Sequence, residues 1–205
     1  MRISLLTPGF DTANSQSLLY PLIRHRRRLG AMGITVTFFR TEDAAAFDAD
    51  IVAADSKFLP RETGNAERID RVGGWRERAR RLVYFETGDS TAITHPWALP
   101  LVDRYVKAQV LRDRSAYADE HYGQRLFTDF AHRHYGIEDS APARSAAIDD
   151  LALLARLAVG WNSGIADYSA GGGWRAAINR RLPLPFLLRA PRVFAPADTP
   201  RDVEI

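Results

Sequence analysis

The chain has 205 residues, 46% of them hydrophobic and 26% charged, the proportions of a folded domain and not of a disordered chain. Its formal charge is +3, carried almost wholly by arginine because lysine occurs only at Lys57 and Lys107, and over this length that balance does not argue for nucleic acid. Cysteine is absent, which excludes disulfides and thiolate catalysis, and no apolar stretch reaches the roughly 18 residues of a membrane span.

Residues 2–7 (RISLLT) predict a first strand, closed by Pro8-Gly9. The same segment has one basic residue and too short an apolar run for a secretory leader, so a cytoplasmic location is expected. Asp11, Asn14 and Ser15 offer N-caps to a helix expected to run to about Met32. Leu18, Leu19, Leu22, Ile23, Leu29 and Met32 keep helical spacing along it, and Pro21 is a point where it would kink. Gly33 fits its C-terminal cap, and 34–39 (ITVTFF) predicts a second strand. A short helix is expected over 43–47, a third strand over 50–54 (DIVAA), a loop over 60–66 and a helix over 67–80.

Leu82, Val83, Tyr84 and Phe85 form an apolar run too short for a helix and suited to a buried parallel strand. It empties into the polar turn Glu86-Thr87-Gly88-Asp89-Ser90, and a further strand is expected over 104–111. This order predicts an α/β fold, a Rossmann-like open parallel sheet flanked by helices. Beyond Leu111 a helical C-terminal extension is expected: helices over 126–134, ended by Gly136, and over 140–158, with Leu151, Leu154 and Leu157 on one side. Short helical pieces follow over 165–169 and 174–181. Residues 1–181 then form one domain. Residues 182–205, with prolines at 183, 185, 191, 196 and 200, are expected to be a linker or tail leading to a further domain.

In open parallel sheets ligands gather outside the carboxyl ends of the strands. Glu86 and Asp89 are therefore the leading candidates for a general base or for binding sugar hydroxyls. The plainer alternative makes Asp89 a cap and leaves Glu86 in water. His95 is close enough in sequence to join them. Strand alternation over 103–111 places Asp103, Tyr105, Lys107, Gln109 and Leu111 on one face, and Arg104, Val106, Ala108 and Val110 on the other. Burying Asp, Tyr, Lys and Gln together demands a partner for each, so this strand is expected to edge a polar pocket.

Arg125, Asp129 and Arg133 stand at i,i+4 spacing, the pattern of a surface ion-pair ladder. His132 and His134 point to different helix faces, so no metal set is expected. The turn at 7–13 lacks G-x-G-x-x-G, and Gly171-Gly172-Gly173 lacks the Lys-Ser/Thr of a P-loop, so no cofactor is expected either. Arg24–Arg28 has two readings. One is a docking patch for anionic lipid headgroups or a phosphate-bearing acceptor; the other is a set of charges at a helix C-terminus that stabilises its macrodipole.

The strand RISLLT with its Pro-Gly turn, the long first helix and ITVTFF carry a resemblance, together with YFETGDS (84–90), VDRYVKAQVLRD (102–113) and YGQRLFTDF (122–130). Over most of residues 1–170 the chain resembles the N-terminal, acceptor-side domain of bacterial GT-B type glycosyltransferases of surface-polysaccharide clusters. That resemblance implies a glycan or lipid-linked acceptor bound by this domain. It also implies a nucleotide-sugar donor held mainly by a C-terminal domain that this sequence lacks. It makes Asp89 or Glu86 the base, and has Tyr105, Lys107, Arg125 and Asn162 line the cleft. The chain is also loosely similar to response-regulator receivers, with Asp11, Asp55, Thr87 and Lys107 in the places of the family's functional residues; that similarity implies phosphorylation at Asp55. A non-catalytic interaction module is the third expectation.

Overall fold

Each of the first four apolar runs becomes a strand, and the computed structural model shows how they are ordered. It describes residues 1–161, apart from 89, 141 and 143, together with Ile178. The strands are β1 (Arg2–Leu6), β2 (Thr35–Phe39), β3 (Ile51–Asp55), β4 (Leu82–Glu86), β5 (Arg104–Lys107) and β6 (Leu157–Val159). They form one sheet, wholly parallel, in the order β2-β1-β3-β4-β5-β6. The chain is thus an open α/β protein with a Rossmann-like sheet. Its order reverses between β1 and β3, a topological switch point of the kind at which such folds bind ligands.

Alternation along the strands sends two sets of side chains to two cores. Leu6, Val52, Ala54, Leu82, Tyr84, Tyr105 and Leu157 pack with Val72 and Trp75 of α4 (Asn65–Arg78). Leu5, Val36 and Ala53 pack with Leu18, Leu19, Tyr20 and Ile23 of α1 (Ala13–Arg24) on the opposite face. Thr12 caps α1, its side chain accepting from the backbone N–H of Ser15 at 3.0 Å.

Three expectations need correction. The first helix does not run unbroken to Met32. It passes through Pro21, stops at His25, whose backbone leaves the helical range (φ −103°, ψ 18°), and resumes as α2 (Arg26–Ala31). The short helix expected over 43–47 is present as α3 (Ala44–Phe47) and needs no correction. The fifth strand ends at Lys107, short of Leu111, because the backbone turns away once Gly160 has donated to the Lys107 carbonyl (2.8 Å).

The helix expected over 140–158 is the largest misreading. Residues 151–156 form a 3-10 helix whose N-terminus is capped by Asp150 (Ala152 N–H to Oδ1, 2.9 Å), and 157–159 form the sixth strand. Leucines three apart suit a 3-10 turn of three residues as well as an α-helical stripe, and Leu157 is buried beside its register partner Tyr105. The helix α5 (Leu126–Tyr135) falls where expected, ended by Gly136 in the left-handed region at φ 64°. The expected pieces over 165–169 and 174–181 and the tail lie outside the described residues, apart from Ile178, which is helical.

Candidate functional site

The carboxyl ends of β4, β5 and β6 open into a cleft of about 220 Å³, closed on one side by the first two turns of α1. Phe85, Val106 and Trp161 supply its apolar wall, with the Phe85 and Trp161 ring centroids 5.5 Å apart. Asn14, Ser17, Thr87 and Gln109 supply neutral hydrogen-bonding groups. The first turn of α1 is tied to the β4 turn by Asn14 Nδ2, which donates to the Thr87 carbonyl at 2.6 Å. Gly160 makes the wall possible, since a Cβ there would stand 2.8 Å from Val106 Cγ1, inside contact distance.

Glu86 borders this cleft but is no loose carboxylate. Parallel register sets it directly beside Lys107, and the two side chains form a buried ion pair, with Lys107 at 0% exposure. The second carboxylate oxygen accepts from the Gly88 N–H at 2.6 Å, and any side chain at 88 would collide with it. Pairing and hydrogen bonding are what allow two charges to remain out of water at this point.

A second polar knot lies at the switch point. Asp55, fully buried at the end of β3, accepts from Thr7 Oγ1 (3.3 Å), Thr87 Oγ1 (3.0 Å), the Lys57 N–H (3.0 Å) and the Ser15 side chain. Burial pushes its carboxyl above the ordinary range, and these hydrogen bonds oppose the shift without cancelling it. Ser56 joins the knot through the Thr87 N–H at 3.1 Å. It thereby braces the turn that shapes the cleft.

On the α4 side of the same strand ends, His95 packs face-on to Trp97, with its Nδ1 3.0 Å from the Tyr84 hydroxyl. Burial pushes the Tyr84 phenol up, so its hydroxyl stays protonated. Desolvation pushes the imidazole down to about 4.

The residues singled out in the sequence do not all meet. Glu86 borders the cleft, while Lys107 lies beneath it as the partner of Glu86. Tyr105 is fully buried in the α4-side core, its hydroxyl accepting from the His95 N–H at 2.9 Å, so it braces His95 and does not line the cleft. Arg125 is exposed at the start of α5, its guanidinium 5.8 Å from the Phe127 ring. Asp89 and Asn162 lie outside the described residues.

Of the expected ladder, Arg133 pairs with Asp129 (2.9 Å). Asp129 also accepts from the Tyr122 N–H (2.9 Å) and faces His121 Nδ1 at 3.4 Å. Burial pushes its carboxyl up, but these three partners together hold it below the usual carboxylate range. No group of three metal-capable side chains occurs among the described residues. No helix among them is long and apolar enough to cross a membrane.

Asn14, Ser17, Phe85, Gly160 and Trp161 went unremarked as site residues. The one signal for Trp161 was a Gly-Trp pair directly after an apolar segment, hidden while that segment passed for a helix. Comparison with family models, with curated protein sequences and with solved structures gives no match. The fold and the chemistry of the cleft therefore define the class: an open, Rossmann-like α/β protein with a small, nearly neutral, amphipathic pocket at the carboxyl edge of its sheet.

Proposed function

We propose that this chain is the acceptor-side domain of a GT-B-like glycosyltransferase, binding one sugar unit of a glycan or lipid-linked acceptor in the cytoplasm. The observation that carries the reading is the composition of the cleft. An aromatic wall, Phe85 and Trp161, stands with amide and hydroxyl groups from Asn14, Ser17, Thr87 and Gln109, and among the described residues neither arginine nor lysine lines it. Aromatic faces pack against the C–H side of a sugar ring, and the amides and hydroxyls match its hydroxyls.

The volume points the same way. At about 220 Å³ the cleft falls below the roughly 300 Å³ at which common ligand pockets begin, a size for one ring and not for a nucleotide sugar. A diphosphate would also call for cations, and none lines the cleft among the described residues. The donor therefore belongs on a partner domain, as the resemblance implies. Glu86, with Asp89, supplies the carboxylate that takes a hydrogen bond or proton from the acceptor hydroxyl; Lys107 keeps Glu86 in place.

The test is saccharide binding followed through Trp161 fluorescence and ligand-observed NMR against a panel of neutral mono- and disaccharides. Binding by the wild-type chain that is lost in Trp161→Ala is expected. Failure of the whole panel, or equal binding by the variant, would sink the reading.

A receiver-like module is a second reading, favoured by the strand order β2-β1-β3-β4-β5 and by the contact between Asp55 and Thr87. Against it, both Asp55 oxygens are occupied and Lys107 is committed to Glu86. Mg²⁺-dependent labelling of Asp55 by a small phosphoryl donor would favour it over the transferase.

A further inference from the structure

We propose that the opposite, amino-terminal edge of the sheet docks onto an anionic membrane surface through the arginines of α1 and α2. Arg24, Arg26, Arg27 and Arg28 are all exposed, and none has a carboxylate partner among the described residues. Between Asp11 and Glu42 the sequence contains no aspartate or glutamate. The acids at the start of β3 are already engaged, since Arg2 holds Asp48 through its guanidinium and Asp50 through its N–H at 2.7 Å. The arginine cluster itself thus carries no intervening acid.

Internal stability does not account for it. Arg24 ends α1, where a cation is favourable, but the break at His25 puts Arg26 and Arg27 in the first turn of α2, with Arg28 in its last. At the start of a helix the dipole gives a cation no support, so it does not explain Arg26 and Arg27. Of the α2 side chains Leu29 is partly buried against the core, and the three arginines add nothing to that packing.

Two apolar side chains complete the surface. Met32 is 66% exposed at the end of α2, and Met1 is 53% exposed beside it, its nitrogen donating to the Gly33 carbonyl at 2.7 Å. Guanidinium groups match headgroup phosphates, and polarizable, flexible thioethers suit the acyl boundary. No Phe, Tyr or Trp occurs from 24 to 33, so the patch lacks the stacking platform that single-stranded nucleic acid selects. Docking by this edge leaves the cleft, at the other end of the strands, facing solution.

The experiment is flotation of the full chain with phosphatidylcholine vesicles, with and without phosphatidylserine. Binding only to the serine-containing vesicles is expected, falling as salt rises. Each arginine near an anionic bilayer contributes about a fivefold factor, so the triple variant Arg26→Ser/Arg27→Ser/Arg28→Ser loses about a hundredfold. The corresponding triple lysine variant retains binding, which separates loss of charge from loss of fold. Met32→Ser weakens vesicle binding, and Trp161→Ala leaves it unchanged, so the membrane and saccharide readings stand or fall separately. Failure to float with anionic vesicles at low salt overturns the proposal, as does a triple serine variant that floats like wild type. Tighter binding of an oligonucleotide than of the vesicles at equal salt assigns the patch to nucleic acid and overturns it as well.

Discussion

Replacing Lys107 with methionine keeps an unbranched side chain one atom shorter and removes the ammonium, with its charge and its hydrogen bond to Glu86. In the native protein Lys107 and Glu86 neutralise each other out of water, with Glu86 further held by the Gly88 N–H. Lys107→Met leaves a buried carboxylate with that single N–H, and breaking a buried pair from one side costs about 3–5 kcal/mol. For a chain of this size each kcal/mol lowers Tm by about 2–4 °C, so a fall of roughly 6–20 °C is expected. The double variant Glu86→Leu/Lys107→Met removes both charges and leaves only the Gly88 N–H unsatisfied. That costs about 1–3 kcal/mol, so the double variant should be more stable than the single one. Urea unfolding of the four proteins of the cycle gives the comparison. A single variant within about 1 kcal/mol of wild type, or a double variant no better than the single, would refute the account of Glu86 as a carboxylate held in place by its neighbour.

His95 predicts a pH effect on stability. Its folded pKa lies near 4, against about 6.5 in the unfolded chain, so the unfolded state binds more protons between these values. The contribution is complete above pH 6.5 and is lost as pH falls toward 4, with an upper bound of about 3 kcal/mol. Urea midpoints from pH 7 to 4 should fall more steeply for wild type than for His95→Gln, and parallel curves would count against it. Gly160→Ala should drive a methyl into Val106, costing about 1–3 kcal/mol in thermal unfolding and weakening saccharide binding as the wall shifts. Unchanged affinity for a saccharide that the wild-type chain binds would show that this wall is not part of the site.

The strands β1 to β4 were legible because each is a short run of β-branched and apolar residues bounded by Pro, Gly or Asp, and such runs have few other stable uses. Glu86 was legible for the same reason: an acid at the end of a buried strand has nowhere to go but the carboxyl edge of the sheet. The arginine cluster was equally plain, as was the absence of cysteine chemistry. These are local properties, set by composition and period within about ten residues.

Adjacency was decided by the tertiary structure. Lys107 became the partner of Glu86 through the β4–β5 register, which no spacing along the chain encodes. Asn14 reached Thr87 across 73 residues because β1 lies two strands from β4 and α1 folds back over that face. Trp161 entered the cleft only because a three-residue strand docked beside β5, a choice made by the burial of Leu157 against the sheet and not by its neighbours in sequence. Even the meaning of the arginines turned on one residue, His25, whose break in the helix placed Arg26 and Arg27 at the start of α2 and no longer near a helix end that favours cations. Local sequence settles which segments have an apolar face to bury. Which faces meet, and so which polar groups are left together at the edge, depends on a packing free energy summed over the whole sheet.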